Sequence, residues 1–154
     1  GIFSEATESA LRALVLLARK EEGRASMPVA EIAQILGVSG SYLAKTIRSL
    51  AKAGLVETHP GPHRGVSLRL EPPQISFRSI IEAVQGRITP SFCSDVPDLN
   101  AACSFHQAAA EIHDFLGKTL EKWTLAQLAE KSCPASHLAG GVPCRMNLPL
   151  EGVP

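Results

Sequence analysis

The four cysteines of this sequence are the side chains best suited to metal or redox chemistry. They are Cys93, Cys103, Cys133 and Cys144. Because the chain begins without a basic and apolar export signal, we expect reduced thiols, metal ligands or redox sensors rather than disulfides. His106 follows Cys103 by three residues, so at the start of a helix both side chains would point the same way, as a Cys-x-x-His ligand pair requires. The spacing Cys133-x3-His137-x6-Cys144 matches no standard zinc pattern.

A second group of residues suits nucleic-acid phosphates and base edges. Net charge is zero over the whole chain, which argues against a non-specific nucleic-acid coat, but residues 36–72 carry five Lys or Arg against two Glu. A helix that enters the major groove needs polar or aromatic side chains in its first turns and cations further along. The face predicted to do this consists of Ser39, Ser41, Tyr42, Lys45, Thr46, Arg48, Ser49 and Lys52. Its cations would set affinity and salt dependence more than sequence choice.

Three helices must position that face. Apolar residues recur at three- and four-residue steps from Glu5 to Arg19, which predicts a first helix. A short second helix begins near Pro28 and ends at Gly37. A third begins at a cap supplied by Ser39 or Ser41 and ends at Gly54. Two short helices joined by a turn with a glycine are typical of a helix-turn-helix, although an ordinary helical hairpin would give the same pattern.

The segment after the third helix favours the DNA-binding interpretation. Two strand-like stretches, residues 55–58 and 66–70, flank a turn rich in proline and glycine, which predicts a β-hairpin wing. His63 and Arg64 at its tip could reach a minor groove, where the narrow groove attracts arginine. We therefore predict a mainly α fold with a small β-hairpin, a winged helix-turn-helix.

The C-terminal half of the chain predicts a dimerisation helix. A short helix ends at Gly86, and one long helix runs from about Ser104 to Lys122. The long helix carries more apolar surface than so small a domain can cover, on a face formed by Phe105, Ala108, Ala109, Ile112, Leu116 and Leu120. We expect a DNA-binding domain over 1–86, a cysteine-bearing cofactor loop over 87–103, a dimerisation helix with a closing turn over 104–131 and a flexible tail over 132–154.

The composition excludes a membrane protein. Apolar residues make up 45% of the chain, enough for one packed core in 154 residues. No apolar run approaches the roughly 18 residues that a membrane span needs. We expect a cytoplasmic protein without a membrane partner.

Several of these motifs, in one order along the chain, resemble a known family. They are the strings 41–45 (SYLAK), 50–56 (LAKAGLV) and 80–86 (IIEAVQG), together with the Gly61-Pro62 wing and the Trp123-Thr124-Leu125 end. The chain is similar to the winged-helix regulators that include the iron–sulfur proteins IscR, NsrR and RsrR. The resemblance implies a homodimer that binds palindromic, double-stranded promoter DNA with one recognition helix per half-site. It also implies that Ser41 and Tyr42 begin base reading.

The resemblance further implies an iron–sulfur cluster, with [2Fe–2S] favoured over [4Fe–4S]. Glu8 matches the position of an acidic ligand that the first helix supplies to the partner subunit's cluster. Iron–sulfur clusters prefer thiolates, but imidazole or carboxylate can complete the shell. The predicted ligands are Cys93, Cys103 and His106 with Glu8 of the other chain, and Glu5 and His113 are substitutes. Cluster loss or oxidation would release this tie and change the affinity for DNA.

The sequence departs from the family pattern at three places. Pro60 replaces an arginine before the wing, and His63 and Arg64 replace two of three glycines. Between Cys93 and Cys103 there is no third cysteine, so this loop offers no three-cysteine site. Arg12 stands where one member of the family uses histidine, which removes a Glu-plus-His ligation from the first helix.

The sequence is also compatible with two other functions. A clusterless regulator of the same fold would sense thiol oxidation through Cys93 and Cys103, or bind a small ligand. An enzyme would use Cys103 and His106 as a nucleophilic pair, but it would need an enclosed cleft and an oriented base. No glycine-rich phosphate loop, nucleophile elbow or third triad member is visible in the sequence.

Overall fold

The computed structural model describes residues 1–19, 26–61, 64–88, 98–130 and 146. Within them the chain forms six α-helices and a two-stranded antiparallel hairpin. The elements are α1 (Glu5–Ala18), α2 (Val29–Leu36), α3 (Gly40–Lys52), β1 (Val56–Thr58), β2 (Val66–Leu68), α4 (Phe77–Gln85), α5 (Ser104–Lys122) and α6 (Leu125–Glu130). Single 3-10 turns lie at Pro72–Gln74 and Leu99–Ala101. The predicted fold class is confirmed.

Helix α1 is the central element of the core. Ser4 begins it, because the Ser4 hydroxyl accepts a hydrogen bond from the backbone N–H of Thr7. Leu14 and Leu17 are fully buried, and the helix contacts α2, α3, α4 and α6. A helix surrounded in this way owes its stability to packing rather than to intrinsic propensity.

Helices α2 and α3 form the predicted helix-turn-helix. Gly37 follows α2 with a φ of 71°, a left-handed conformation that glycine adopts without strain. Ser39 then caps α3 by accepting a hydrogen bond from the N–H of Tyr42 at 3.2 Å. Leu43 and Ile47 are buried against the core, which fixes the rotation of α3 about its axis.

The hairpin is attached to the helical core by a third backbone segment. In the register of the hairpin, Val56 lies opposite Leu68 and Thr58 opposite Val66. Met27 pairs with Val66 on the other side, through N–H to O distances of 3.0 and 2.8 Å. The backbone of Met27 passes so close to Gly65 that a Cβ there would overlap the Met27 carbonyl. Glycine is therefore required at position 65 by close approach rather than by a positive φ.

The C-terminal helices close onto α4. The Phe77 N–H donates to the Trp123 carbonyl at 2.7 Å, and the Leu125 N–H donates to the Ile75 carbonyl at 2.8 Å. Ile75 and Leu125 are fully buried. These bonds bring α6 against α1, as the predicted closing turn required.

The apolar residues of α5 differ in exposure along the length of the helix, which corrects part of the predicted dimerisation face. Towards its C-terminal end, where the helix packs on α4, Leu120 is buried and Leu116 is half-buried. Phe105 and Ile112 remain 68% and 59% exposed, and so does Phe115 at 69%, which the sequence interpretation had not included. The exposed stripe consists of Phe105, Ile112 and Phe115.

Some predicted features lie outside the described residues. These are Cys93 with most of its loop, His63, and the tail residues Cys133, His137 and Cys144. The domain boundaries remain predictions.

Candidate DNA-binding surface and metal-ligand site

Helix α3 presents a cationic stripe on its exposed side. Lys45, Arg48 and Lys52 are exposed and follow one another at three- and four-residue steps, so they lie on one face. Ser41 is exposed at the start of the same face. The structure thus brings together, at one surface, hydroxyls at the helix start and cations behind them.

Tyr42 and Ser39 occupy the first turn of α3. Tyr42 is 37% exposed, so part of its ring is held by protein while the rest is accessible. Ser39 is exposed, and its hydroxyl serves as the helix cap and lies 3.5 Å from the hydroxyl of Ser41. The amides at a helix start carry partial positive charge, which favours phosphate near these residues.

Thr46 does not belong to this face, and its inclusion in the predicted surface was wrong. It is 4% exposed, and its hydroxyl lies 3.4 Å from the Tyr42 carbonyl one turn earlier. A threonine can satisfy its hydroxyl in this way, so a polar residue type at this position did not signal exposure.

The wing follows α3 in the sequence, and Arg64 near its tip is exposed. The Arg64 N–H donates to the Gly61 carbonyl at 3.3 Å, and Gly61 has a φ of 118°. His59 lies lower in the hairpin, where its Nε2 is 2.9 Å from the hydroxyl of Ser67. A cation is therefore available near the wing tip for a phosphate or a minor groove.

Cys103 and His106 form the predicted pair at the start of α5. Cys103 is the N-cap residue and is exposed, and its Sγ lies 3.1 Å from Nδ1 of His106. A tetrahedral metal with sulfur and nitrogen bonds of about 2.3 and 2.0 Å would hold the two atoms about 3.5 Å apart. The pair thus needs to open by only a few tenths of an ångström to share one metal.

A local hydrogen-bond network holds this pair in place. The side-chain amide of Gln107 donates to the Ala102 carbonyl at 2.7 Å. The Gln107 N–H donates to the Cys103 carbonyl, and Asp98 accepts from the N–H of Asn100 in the preceding turn. These bonds fix the direction from which the chain enters α5, and hence the side on which Sγ lies.

Glu8 lies half-buried in the first turns of α1, on a segment that α4 holds firmly. The Thr7 hydroxyl donates to Oε1 of Gln85 at 2.6 Å, and the Ser4 N–H donates to the same oxygen at 3.0 Å. Thr7 is 1% exposed, so the donor side of this bond is buried although Gln85 itself is exposed. The backbone that carries Glu8 is therefore rigidly placed.

Glu8 also borders a cleft between α1 and the recognition helix. The cleft is lined by Glu5, Glu8, Ser9, Arg12, Val38 and Tyr42. The sequence did not predict this cleft, because α1 and α3 are far apart along the chain and no local pattern shows that they pack together. Glu8, a predicted metal ligand, and Tyr42, which is predicted to contact base edges, therefore lie on opposite walls of one cleft.

The described residues of one chain do not assemble the full predicted ligand set. Across the described ranges, no three His, Cys, Asp or Glu side chains come close enough together to hold a metal ion. Cys93 lies outside those ranges, and Glu8 is predicted to act on the partner subunit. The substitute His113 is half-buried, with its Nδ1 2.7 Å from the Ala109 carbonyl of its own helix.

By sequence comparison, the chain matches a family of transcription regulators. The family Rrf2, described as iron-dependent transcriptional regulator, matches residues 3–131. YffB of Lactococcus lactis subsp. lactis (strain IL1403), which bears the name of an HTH-type transcriptional regulator, is 34% identical over 138 residues, 84% of this chain and 88% of that protein.

Solved structures of such regulators have the same fold. CymR of B. subtilis, described as the global cysteine regulator, superposes with a TM-score of 0.69 at 28% identity, covering 85% of this chain and 98% of that one. IscR of T. potens superposes with a TM-score of 0.67 at 24% identity, covering 85% and 88%. No helix in the described part of the chain is long and apolar enough to cross a membrane.

Proposed function

Because this chain belongs to the Rrf2 family of iron-dependent transcriptional regulators, we propose that it binds promoter DNA as a homodimer whose affinity an iron–sulfur cluster controls. The observation that carries the cluster proposal is the approach of Cys103 Sγ to His106 Nδ1 at the start of α5. Sulfur and imidazole nitrogen suit iron, and the pair is exposed where a second subunit can add ligands.

The DNA half of the proposal depends on α3 and the wing. In each subunit the start of α3 would enter the major groove with Ser41 and Tyr42 toward base edges, while Lys45 and Arg48 contact phosphates. A two-fold dimer would place two such helices on half-sites about 34–36 Å apart. Arg64 would contact the flanking groove.

The cluster would be held by Cys93, Cys103 and His106 of one subunit and Glu8 of the other, with a [2Fe–2S] form favoured. When bound, the cluster would provide iron for a bond to Glu8, and oxidation, nitric oxide or iron shortage can break that bond. Glu8 would then tie α1 of one subunit to α5 of its partner. Glu8 of α1 and Tyr42 of α3 line the same cleft. A displacement of α1 would therefore act directly on the first turn of α3.

The experiment is anaerobic purification followed by an absorption spectrum, iron and sulfide assays, and promoter binding by the holo and apo forms. An allosteric coupling of about 1–3 kcal/mol would change the affinity about 5- to 150-fold. Glu8→Gln should leave the fold intact, because Gln is isosteric, but make the cluster labile and reduce the difference between holo and apo. Colourless protein without iron or sulfide would contradict the proposal.

A matched control comes from the tail. Cys133→Ser removes a thiol that is not a predicted cluster ligand, whereas Cys103→Ser removes one that is. The spectrum should be lost in the second variant and kept in the first. Equal loss in both variants would show that the ligand set is wrong.

The exposed thiol of Cys103 also supports a second candidate, a clusterless regulator that responds to oxidant. In that case Cys93 and Cys103 would form a disulfide, giving two electrons and two protons to the oxidant. The protein would be colourless, and its DNA affinity would respond to oxidant and be restored by thiol. The family assignment favours either regulator over an enzyme that uses Cys103 and His106.

A further inference from the structure

A cavity of about 210 Å³ opens beside the first turns of α1. Its apolar walls are Phe3, Leu11, Phe77 and Met146. The rings of Phe3 and Phe77 lie 5.3 Å apart at an angle of 33°. An apolar protein cavity of about 150 Å³ is large enough to take up benzene. This cavity therefore has room for one aliphatic or aromatic side chain, and its walls suit either.

The remaining wall of the cavity carries one charge of each sign. Glu8 and Arg12 line it one helical turn apart, with Thr7 beside them. The Arg12 Nε is buried and has no hydrogen-bond partner within the described part of the chain. Because nearly all buried donors in proteins are satisfied, the Arg12 side chain gains a missing partner if it turns towards an acceptor in the cavity. A carboxylate suits best, since the guanidinium fork can offer it two parallel donors after a rotation of the side chain into the cavity.

We propose that this cavity binds a free α-amino acid with an apolar side chain. Its carboxylate would pair with Arg12, its ammonium group with Glu8, and its side chain would lie between Phe3 and Phe77. A simple carboxylate would face the charge of Glu8, and a simple amine would face that of Arg12, so the zwitterion is the better electrostatic match.

The amino acid would act as an effector because of what lies on the other side of Arg12. Glu8 and Arg12 also line the cleft that contains Tyr42. A rotation of Arg12 towards a bound carboxylate would change the contacts in that cleft, and with them the position of the first turn of α3. This proposal goes beyond the cluster proposal and, because both assign a role to Glu8, it applies to the apo protein.

Isothermal titration calorimetry on the apo protein tests the site with three probes. L-phenylalanine should bind, while 3-phenylpropionate, which lacks the ammonium group, and phenethylamine, which lacks the carboxylate, should each bind about 10- to 100-fold more weakly. Arg12→Gln should weaken phenylalanine binding by a similar factor. Arg69→Gln removes one charge from an exposed arginine that does not line the cavity and should leave binding unchanged.

Glu8→Gln provides a second variant. It should weaken the binding of phenylalanine but not that of 3-phenylpropionate, because only the ammonium contact is lost. Circular dichroism identifies any variant that fails to fold. The proposal is overturned if phenylalanine gives no heat at millimolar concentration, if all three probes bind alike, or if Arg12→Gln binds as the natural sequence does. Because apo protein is used, a negative result leaves the cluster proposal untouched, and iron-free preparations leave this one untouched.

Discussion

Replacing Phe115 by alanine should weaken the proposed homodimer without unfolding the subunit. Phe115 is 69% exposed and lies on the same side of α5 as Phe105 and Ile112, which are 68% and 59% exposed. Large apolar side chains exposed in a row mark an interaction surface. A second copy of the chain would cover this stripe with its own, since a two-fold interface brings the same residues of both subunits together.

The magnitude follows from the exposed fraction. Burying a phenylalanine side chain completely contributes about 1.5–3 kcal/mol. Because 69% of Phe115 is exposed in the subunit, dimerisation can bury about seven-tenths of it, or about 1–2 kcal/mol. The substitution occurs twice in a two-fold dimer, so Phe115→Ala should cost about 2–4 kcal/mol and raise the dimer dissociation constant about 30- to 900-fold.

Sedimentation velocity over a range of concentrations measures this constant. Lys118→Ala is the control on the same helix, because Lys118 is exposed and pairs with Asp114 at 2.8 Å rather than with the stripe. It should leave the constant within a factor of about two to three, since an exposed ion pair contributes little. Urea unfolding of the monomeric variant checks that α5 still packs on α4.

The exposed stripe is not the dimer interface if Phe115→Ala and the double variant Phe105→Ala/Phe115→Ala dimerise as tightly as the natural sequence. In that case another surface joins the subunits. The predicted ligation of one subunit's cluster by the other subunit's Glu8 would then need a different arrangement.

Three further substitutions test the DNA-binding half of the fold. Lys45→Gln should weaken promoter and random DNA alike and reduce the salt dependence by about one counterion, measured by fluorescence anisotropy, whereas Lys118→Gln should change neither. Gly65→Ala should lower the free energy of unfolding, measured by urea titration, by about 1–3 kcal/mol, because the new Cβ meets the Met27 carbonyl. An unchanged urea midpoint would show that the Met27 and Gly65 backbones separate easily. Ser39→Ala should cost about 1 kcal/mol by removing the α3 cap, and a loss of affinity without this loss of stability would assign Ser39 to DNA contact alone.

Features carried by short sequence spacings could be predicted, because neighbours along a helix settle them. The Cys103 and His106 side chains meet since three residues make nearly one helical turn. Gly37 and Gly54 take left-handed conformations, with φ values of 71° and 78°, at the ends where the sequence placed them. In each case the information lies within one turn of the residue concerned.

Features set by tertiary contacts could not be predicted. Periodicity puts Ile112, Leu116 and Leu120 on one face of α5 but does not say which of them the subunit itself covers. Leu120 is buried and Leu116 is half-buried, whereas Ile112 is exposed. The hydrogen bond from Thr7 to Gln85 joins residues 78 positions apart. Thr46 looked exposed because its type is polar, but the carbonyl of Tyr42 lies within reach of its hydroxyl.

The bond between Thr7 and Gln85 also constrains how any signal could leave the first turn of α1. Glu8 adjoins a threonine whose buried hydroxyl is held at 2.6 Å by α4. Local fraying of this turn would break both that bond and the bond from the Ser4 N–H to the same Gln85 oxygen, which is costly. A pull on Glu8 would therefore move α1 as a rigid body rather than unwind its first turn. Because α1 packs directly on α3, a rigid shift reaches the recognition helix, whereas fraying would dissipate before it.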